Sequence, residues 1–100
     1  QEAVGSRPTS TVLFPCRPNP ATKGVSLSFD LAQAAELRLE VFDVSGRCVA
    51  LLAQGRHSPG RYRIQWSGRD QDDNPLPAGV YMCQMRAGGI AQTRKVLLTR

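Results

Sequence analysis

No stretch of this 100-residue chain carries a helical period, and no apolar run approaches the roughly 18 residues that a membrane-spanning helix needs. A helical bundle and membrane insertion by a helix are therefore set aside, and no secretory signal pattern stands at the N-terminus. Histidine is down to one residue, His57, and no two cysteines have C-x-x-C spacing, so a zinc site has nothing to build on. Lysine is nearly missing as well: only Lys23 and Lys95 occur, and arginine supplies the rest of thirteen cations that outweigh eight acids. Arginine suits bidentate contact with carboxylates or phosphates. A nucleic-acid surface, however, wants cations gathered into a stripe beside exposed aromatics. Here the arginines are scattered from Arg7 to Arg100, and Tyr62 and Trp66 share the parity of Ile64, which points them inward. Nucleic acid is not expected as a partner.

Catalysis lacks its parts too. His57 stands beside Ser58, but adjacent residues do not face each other productively, and no third group or oxyanion-holding loop accompanies them. We expect no enzyme and no cofactor. Cys16, Cys48 and Cys83 cannot all pair within one chain. Cys48 and Cys83 lie in apolar stretches and read first as small core residues, with one internal disulfide or a reactive thiol as the alternatives.

What the chain does have is period-two alternation. Leu37, Leu39 and Val41 alternate with Arg38 and Glu40, then Asp43-Val44-Ser45-Gly46 breaks the pattern before an apolar run from Cys48 to Leu52. Aspartate and serine bond local backbone and glycine accepts positive φ, so this stretch predicts a β-hairpin closed by a type I turn with a left-handed glycine. Val25, Leu27, Phe29 and Leu31 alternate with Ser26, Ser28 and Asp30, and Tyr62, Ile64 and Trp66 with Arg61, Arg63 and Gln65. Ala53 to Ser58 reads as a polar connection, and Pro59-Gly60 as a type II turn. Gly79 opens a strand to Met85, Gly88-Gly89 turns it, and Ile90 to Leu98 returns. Val12 to Phe14 is a short strand, after which Pro15 and Pro18-Asn19-Pro20 predict an irregular edge crossing from one sheet to another.

Seven short strands with turn signals between them predict an all-β fold, an immunoglobulin-like antiparallel β-sandwich without the Cys-Trp-Cys framework of antibody domains. Its expected extent is 12–100. Residues 1–11 have linker composition, and a chain that begins with Gln1 is expected to be a piece of a larger protein. The longest loop, Ser67 to Ala78, holds Asp70, Asp72, Asp73 and Asn74, which resemble the start of a calcium loop. The glycine, distal glutamate and flanking helices of an EF-hand are missing, so a solvated turn is the first reading and calcium the second.

Five short motifs carry a family resemblance from about Leu13 to Arg100. They are Pro18-Asn19-Pro20, Phe42-Asp43-Val44-Ser45-Gly46-Arg47, Trp66-Ser67-Gly68-Arg69-Asp70, Ala78-Gly79-Val80-Tyr81 and Lys95-Val96-Leu97-Leu98. In this order the chain resembles the C-terminal sorting domain of proteins exported by the bacterial type IX secretion system, a family overlapping the immunoglobulin-like domain of the flagellar hook-capping protein. Ala21 and Ser67 depart from the residues usual in that family. The resemblance implies a non-catalytic module of an exported protein, delivered to the cell surface or beyond, with secretion machinery or a receptor protein as partner. Gly79, Tyr81, Lys95, Val96, Leu97 and Leu98 would form the address, and Asp43, Gly46 and Arg47 the scaffold beneath it. Recognition would use free strand edges, so that losing Lys95 to Arg100 or filling Gly79 would trap a cargo. The alternative is a structural module that packs against neighbouring domains or subunits of an extracellular assembly.

Overall fold

A computed structural model describes residues 8–19, 21–22 and 24–99. The strands are β1 (Val12–Leu13), β2 (Val25–Leu31), β3 (Ala35–Phe42), β4 (Cys48–His57), β5 (Gly60–Trp66), β6 (Gly79–Ala87) and β7 (Ile90–Leu98). They form two antiparallel sheets, ordered β1-β2-β5 and β4-β3-β6-β7. This is immunoglobulin-like connectivity, with the fourth strand lying beside the third.

Alternation decides what is buried. Leu27, Phe29 and Leu31 of β2 face Leu39 and Val41 of β3, Cys83 and Met85 of β6, and Val96 and Leu98 of β7 in one continuous core. Each such side chain contributes about 1.5–3 kcal/mol by leaving water. Tyr62 stacks on Phe29 with ring centroids 5.1 Å apart, and the edge of His57 meets Tyr62. His57 is thus a half-buried packing residue whose Nδ1 lies 3.0 Å from the Gly55 carbonyl.

The proline-rich segment does cross between sheets. β1 pairs with β2, Arg17 bridges Ser26, and Ala21 then lies parallel to Leu98 at the end of β7. The open side between β1 and β7 is laced by side chains: Leu13 donates its amide to Gln92 Oε1 at 2.7 Å, and Arg94 Nε donates to the Leu13 carbonyl at 2.7 Å.

Three expectations change. β4 runs on to His57, so Ala53 to His57 is strand instead of connection. Gly60 has φ 157°, far from the roughly +80° of a type II turn, and it opens β5 opposite Leu31. Cys48 is exposed, because β4 carries register shifts against β3 that put both Val49 and Ala50 inward and turn Cys48 outward beside Phe42. Its sulfur lies 3.5 Å from Glu40 Oε2, and partial burial together with that carboxylate raises the thiol's pKa. At the end of the expected linker, Thr11 Oγ1 accepts from the Ala32 amide at 3.0 Å, and Gln92 Nε2 donates to the Thr11 carbonyl at 3.1 Å. Of the expected linker, residues 1–7 lie outside the described residues.

Candidate functional site

The β3–β4 turn is built around one carboxylate. Asp43 Oδ1 accepts from the Ser45 amide at 2.9 Å, the Ser45 hydroxyl at 2.6 Å and the Arg47 amide at 3.1 Å. The Asp43 amide donates to the Arg47 carbonyl, and the Gly46 amide to the Asp43 carbonyl. Gly46 takes φ 88°, the left-handed position that closes the turn.

The aspartate-rich loop repeats this arrangement. Asp70 Oδ1 accepts from the Asp72 and Asn74 amides at 2.9 Å each, while Asp73 holds the left-handed position at φ 65°. The Asp70 amide donates to the Asn74 carbonyl and the Asp73 amide to the Asp70 carbonyl. Arg69 ties the loop down through the Asp73 carbonyl at 2.9 Å. Asp70 is therefore turned onto backbone amides and does not join Asp72, Asp73 and Asn74 around a common centre. Among the described residues no group of three or more histidines, cysteines, aspartates or glutamates is placed to hold a metal.

Both carboxylates titrate below the usual range. For Asp43 the Ser45 hydroxyl is the largest cause, followed by the Arg47 and Ser45 amides; for Asp70 it is the Asn74 amide, then Asp72, with the Arg47 charge adding. A carboxylate whose folded pKa is depressed stabilises the fold above its unfolded pKa of about 3.9 and ceases to do so as pH falls through the folded value. Asp43→Asn with Asp70→Asn is thus expected to shrink the drop in urea midpoint between pH 5 and pH 2. An unchanged drop would assign acid lability to other groups.

At the same end of the sandwich the segment after β1 straps the edge of β7. Asn19 Oδ1 accepts from the Leu97 amide at 3.0 Å and Asn19 Nδ2 donates to the Lys95 carbonyl at 3.1 Å. Ala21 donates to the Leu97 carbonyl at 2.8 Å, and Thr99 donates to the Ala21 carbonyl at 2.7 Å. The expectation of a free edge here is corrected: the groups that would take up another strand already have partners.

The six residues expected to form an address are brought together, since Gly79 pairs with Leu98, Tyr81 with Val96, and Val80 with Leu97. They split by direction. Tyr81, Val96 and Leu98 are core residues. The Tyr81 hydroxyl donates to the Pro77 carbonyl at 2.6 Å and its ring meets Trp66 edge-on, a tyrosine corner at the start of β6. Lys95 and Leu97 lie on the outer face, where Lys95 pairs with Met82 and Met82 with Phe42. Phe42, Val80 and Met82 are half-buried, Leu97 is 40% exposed and Val44 in the adjoining turn 78% exposed. This apolar patch beside one lysine is the surface that sequence reasoning missed. Its signal was Val80 and Met82, apolar on the parity opposite Tyr81, Cys83 and Met85; apolar residues on both parities mark a strand covered on both faces.

No curated protein matches the chain. Among solved structures it is similar to dimeric latent PorU from Porphyromonas gingivalis, with a TM-score of 0.64 and 16% identity over 89% of this chain and 9% of that one. It is also similar to PorZ, an essential bacterial surface component of the type-IX secretion system of Porphyromonas gingivalis, with a TM-score of 0.56 and 20% identity over 99% of this chain and 13% of that one. The chain thus spans a small part of either protein, and at these identities the likeness is one of fold. The FlgD Ig-like domain model matches residues 18–89, from the strap through β6 and its turn, and the chain belongs to that family.

Proposed function

We propose that this domain is a non-catalytic C-terminal sorting module of an exported bacterial protein, recognised on the outer face at the Leu97 end of β7. The observation that carries the reading is convergence. Asn19, the Asp43 turn, the Asp70 turn, Gly79 and Lys95 to Leu98 come from distant stretches and meet at one end of the sandwich, beside an apolar patch with Phe42, Val80 and Met82. The likeness to PorZ, described as a surface component of the type-IX secretion system, supports the same direction. Cell-surface or extracellular delivery, with secretion machinery as the partner, follows as part of the proposal.

Removing Lys95 to Arg100 would test folding as much as sorting, because Val96 and Leu98 are 0% and 1% exposed. The informative variant is Lys95→Glu with Leu97→Ser, both on the outer face, in a reporter fused ahead of residues 12–100. Losing one recognition anchor is worth about 1.4 kcal/mol or more, so surface delivery is expected to fall about tenfold while the thermal melt is retained. Delivery equal to the parent fusion would sink the sorting role and leave the patch as a packing surface for neighbouring domains of the parent protein.

A further inference from the structure

Cys16 and Cys83 are both buried, at 2% and 0% exposure, and reach the core from different elements. Cys83 comes from the middle of β6. Cys16 comes from the segment that leaves β1, bridges β2 through Arg17 and Ser26, and crosses to β7. Both side chains lie in the one continuous core, close enough for each thiol to act on the other's ionisation. Arg94 links the two elements, since it pairs with Cys83 across the β6–β7 ladder and donates to the Leu13 carbonyl three residues ahead of Cys16.

A second observation stands apart from that contact. In antibody domains the tyrosine of the corner stands two residues before the second cysteine of the disulfide that joins the sheets. Tyr81 is this chain's corner tyrosine, so Cys83 stands where that second cysteine would be. The first cysteine of such a bridge belongs to the second strand, but β2 turns Leu27 and Phe29 inward. Cys16 arrives instead from the segment bridged to β2.

We propose that Cys16 and Cys83 are a disulfide-forming pair that joins the crossing segment to β6 when the domain folds in an oxidising compartment. The oxidant is a disulfide of the glutathione or dithiol-oxidase class. The Cys16 thiolate attacks one of its sulfurs, forming a mixed disulfide and releasing one thiolate. Cys83 then loses its proton, attacks the Cys16 sulfur and expels the second thiolate. Two electrons and the two thiol protons leave the domain, and the oxidant ends as two thiols. Cys16 is placed first because the neighbouring Cys83 thiol, and then Arg94, lower its pKa, whereas Cys16 and burial raise that of Cys83; the same bond forms with the order reversed. The bond would anchor the strap just ahead of Asn19, whether or not the domain sorts a cargo.

The full chain is refolded in a buffer of oxidised and reduced glutathione, then denatured, alkylated and mapped by mass spectrometry. We expect one alkylated thiol, Cys48, and a linked pair of peptides containing Cys16 and Cys83. The oxidised protein should melt about 10 °C or more above the reduced one, as for a long loop closed by a disulfide. Cys48→Ser should keep that difference and Cys16→Ser should lose it. Three alkylated thiols, a bridge involving Cys48, or coincident melts would each overturn the proposal.

Discussion

Trp66→Ala is expected to destabilise the domain by about 3–5 kcal/mol, as deletion of a large buried aromatic does. Domains of this size are stable by about 5–15 kcal/mol in total, so the variant should be substantially unfolded at modest urea. Trp66 ends β5, where it pairs with Val25, and it is 3% exposed. Its ring meets Tyr81 of the opposite sheet at a centroid distance of 5.8 Å and an interplanar angle of 69°. Its Nε1 donates to the Arg69 carbonyl at 3.0 Å, immediately ahead of the Asp70 turn. One side chain thus joins the two sheets and anchors the longest loop. Trp66→Phe keeps most of the packing and leaves the Arg69 carbonyl without that donor, and should cost about 1–2 kcal/mol. Far-UV circular dichroism in urea distinguishes them without relying on the tryptophan signal. A Trp66→Ala cost near that of Trp66→Phe would show that the ring's cross-sheet packing matters little.

Local rules made much of this fold legible. Alternation in β2 and β5 set which face is buried, the Asp43–Gly46 spacing set a turn, and Gly88-Gly89, with φ 54° and 83°, set the two-residue hairpin between β6 and β7. Features that depend on a partner strand were not legible. The displacement of Cys48 to the surface follows from register shifts against β3, which no pattern within β4 announces. The bonding of the Asp70 turn was hidden because Asp73 takes the left-handed position that glycine holds in the Asp43 turn, so the stretch read only as a solvated turn, with calcium second. The residues expected to form an address appeared as one motif, although strand alternation alone divides Val96 and Leu98 from Lys95 and Leu97. The strap was beyond reach because its bonds join residues more than seventy positions apart.

That strap gives the second large effect. Asn19→Ala removes both side-chain bonds to β7, the one from the Leu97 amide and the one to the Lys95 carbonyl. At about 1 kcal/mol each, the loss should lower the local opening free energy by about 2 kcal/mol and speed hydrogen exchange of the Leu97 amide about 30-fold. Asn19→Asp keeps an acceptor for Leu97 and loses the donor to Lys95, so its exchange should lie between the two. Thr99, bonded to the Ala21 carbonyl, should change less. Unchanged exchange at Leu97 would mean that the Ala21 bridge closes the edge without help. Under the sorting role proposed above, the same variant separates two ways a receptor would engage β7. A receptor that adds a strand must first displace the strap, so Asn19→Ala should raise both its affinity and the domain's own tendency to self-associate through the exposed edge. A receptor that reads the outer face of Lys95 and Leu97 makes no use of those backbone groups, and delivery of an Asn19→Ala fusion should then match the parent.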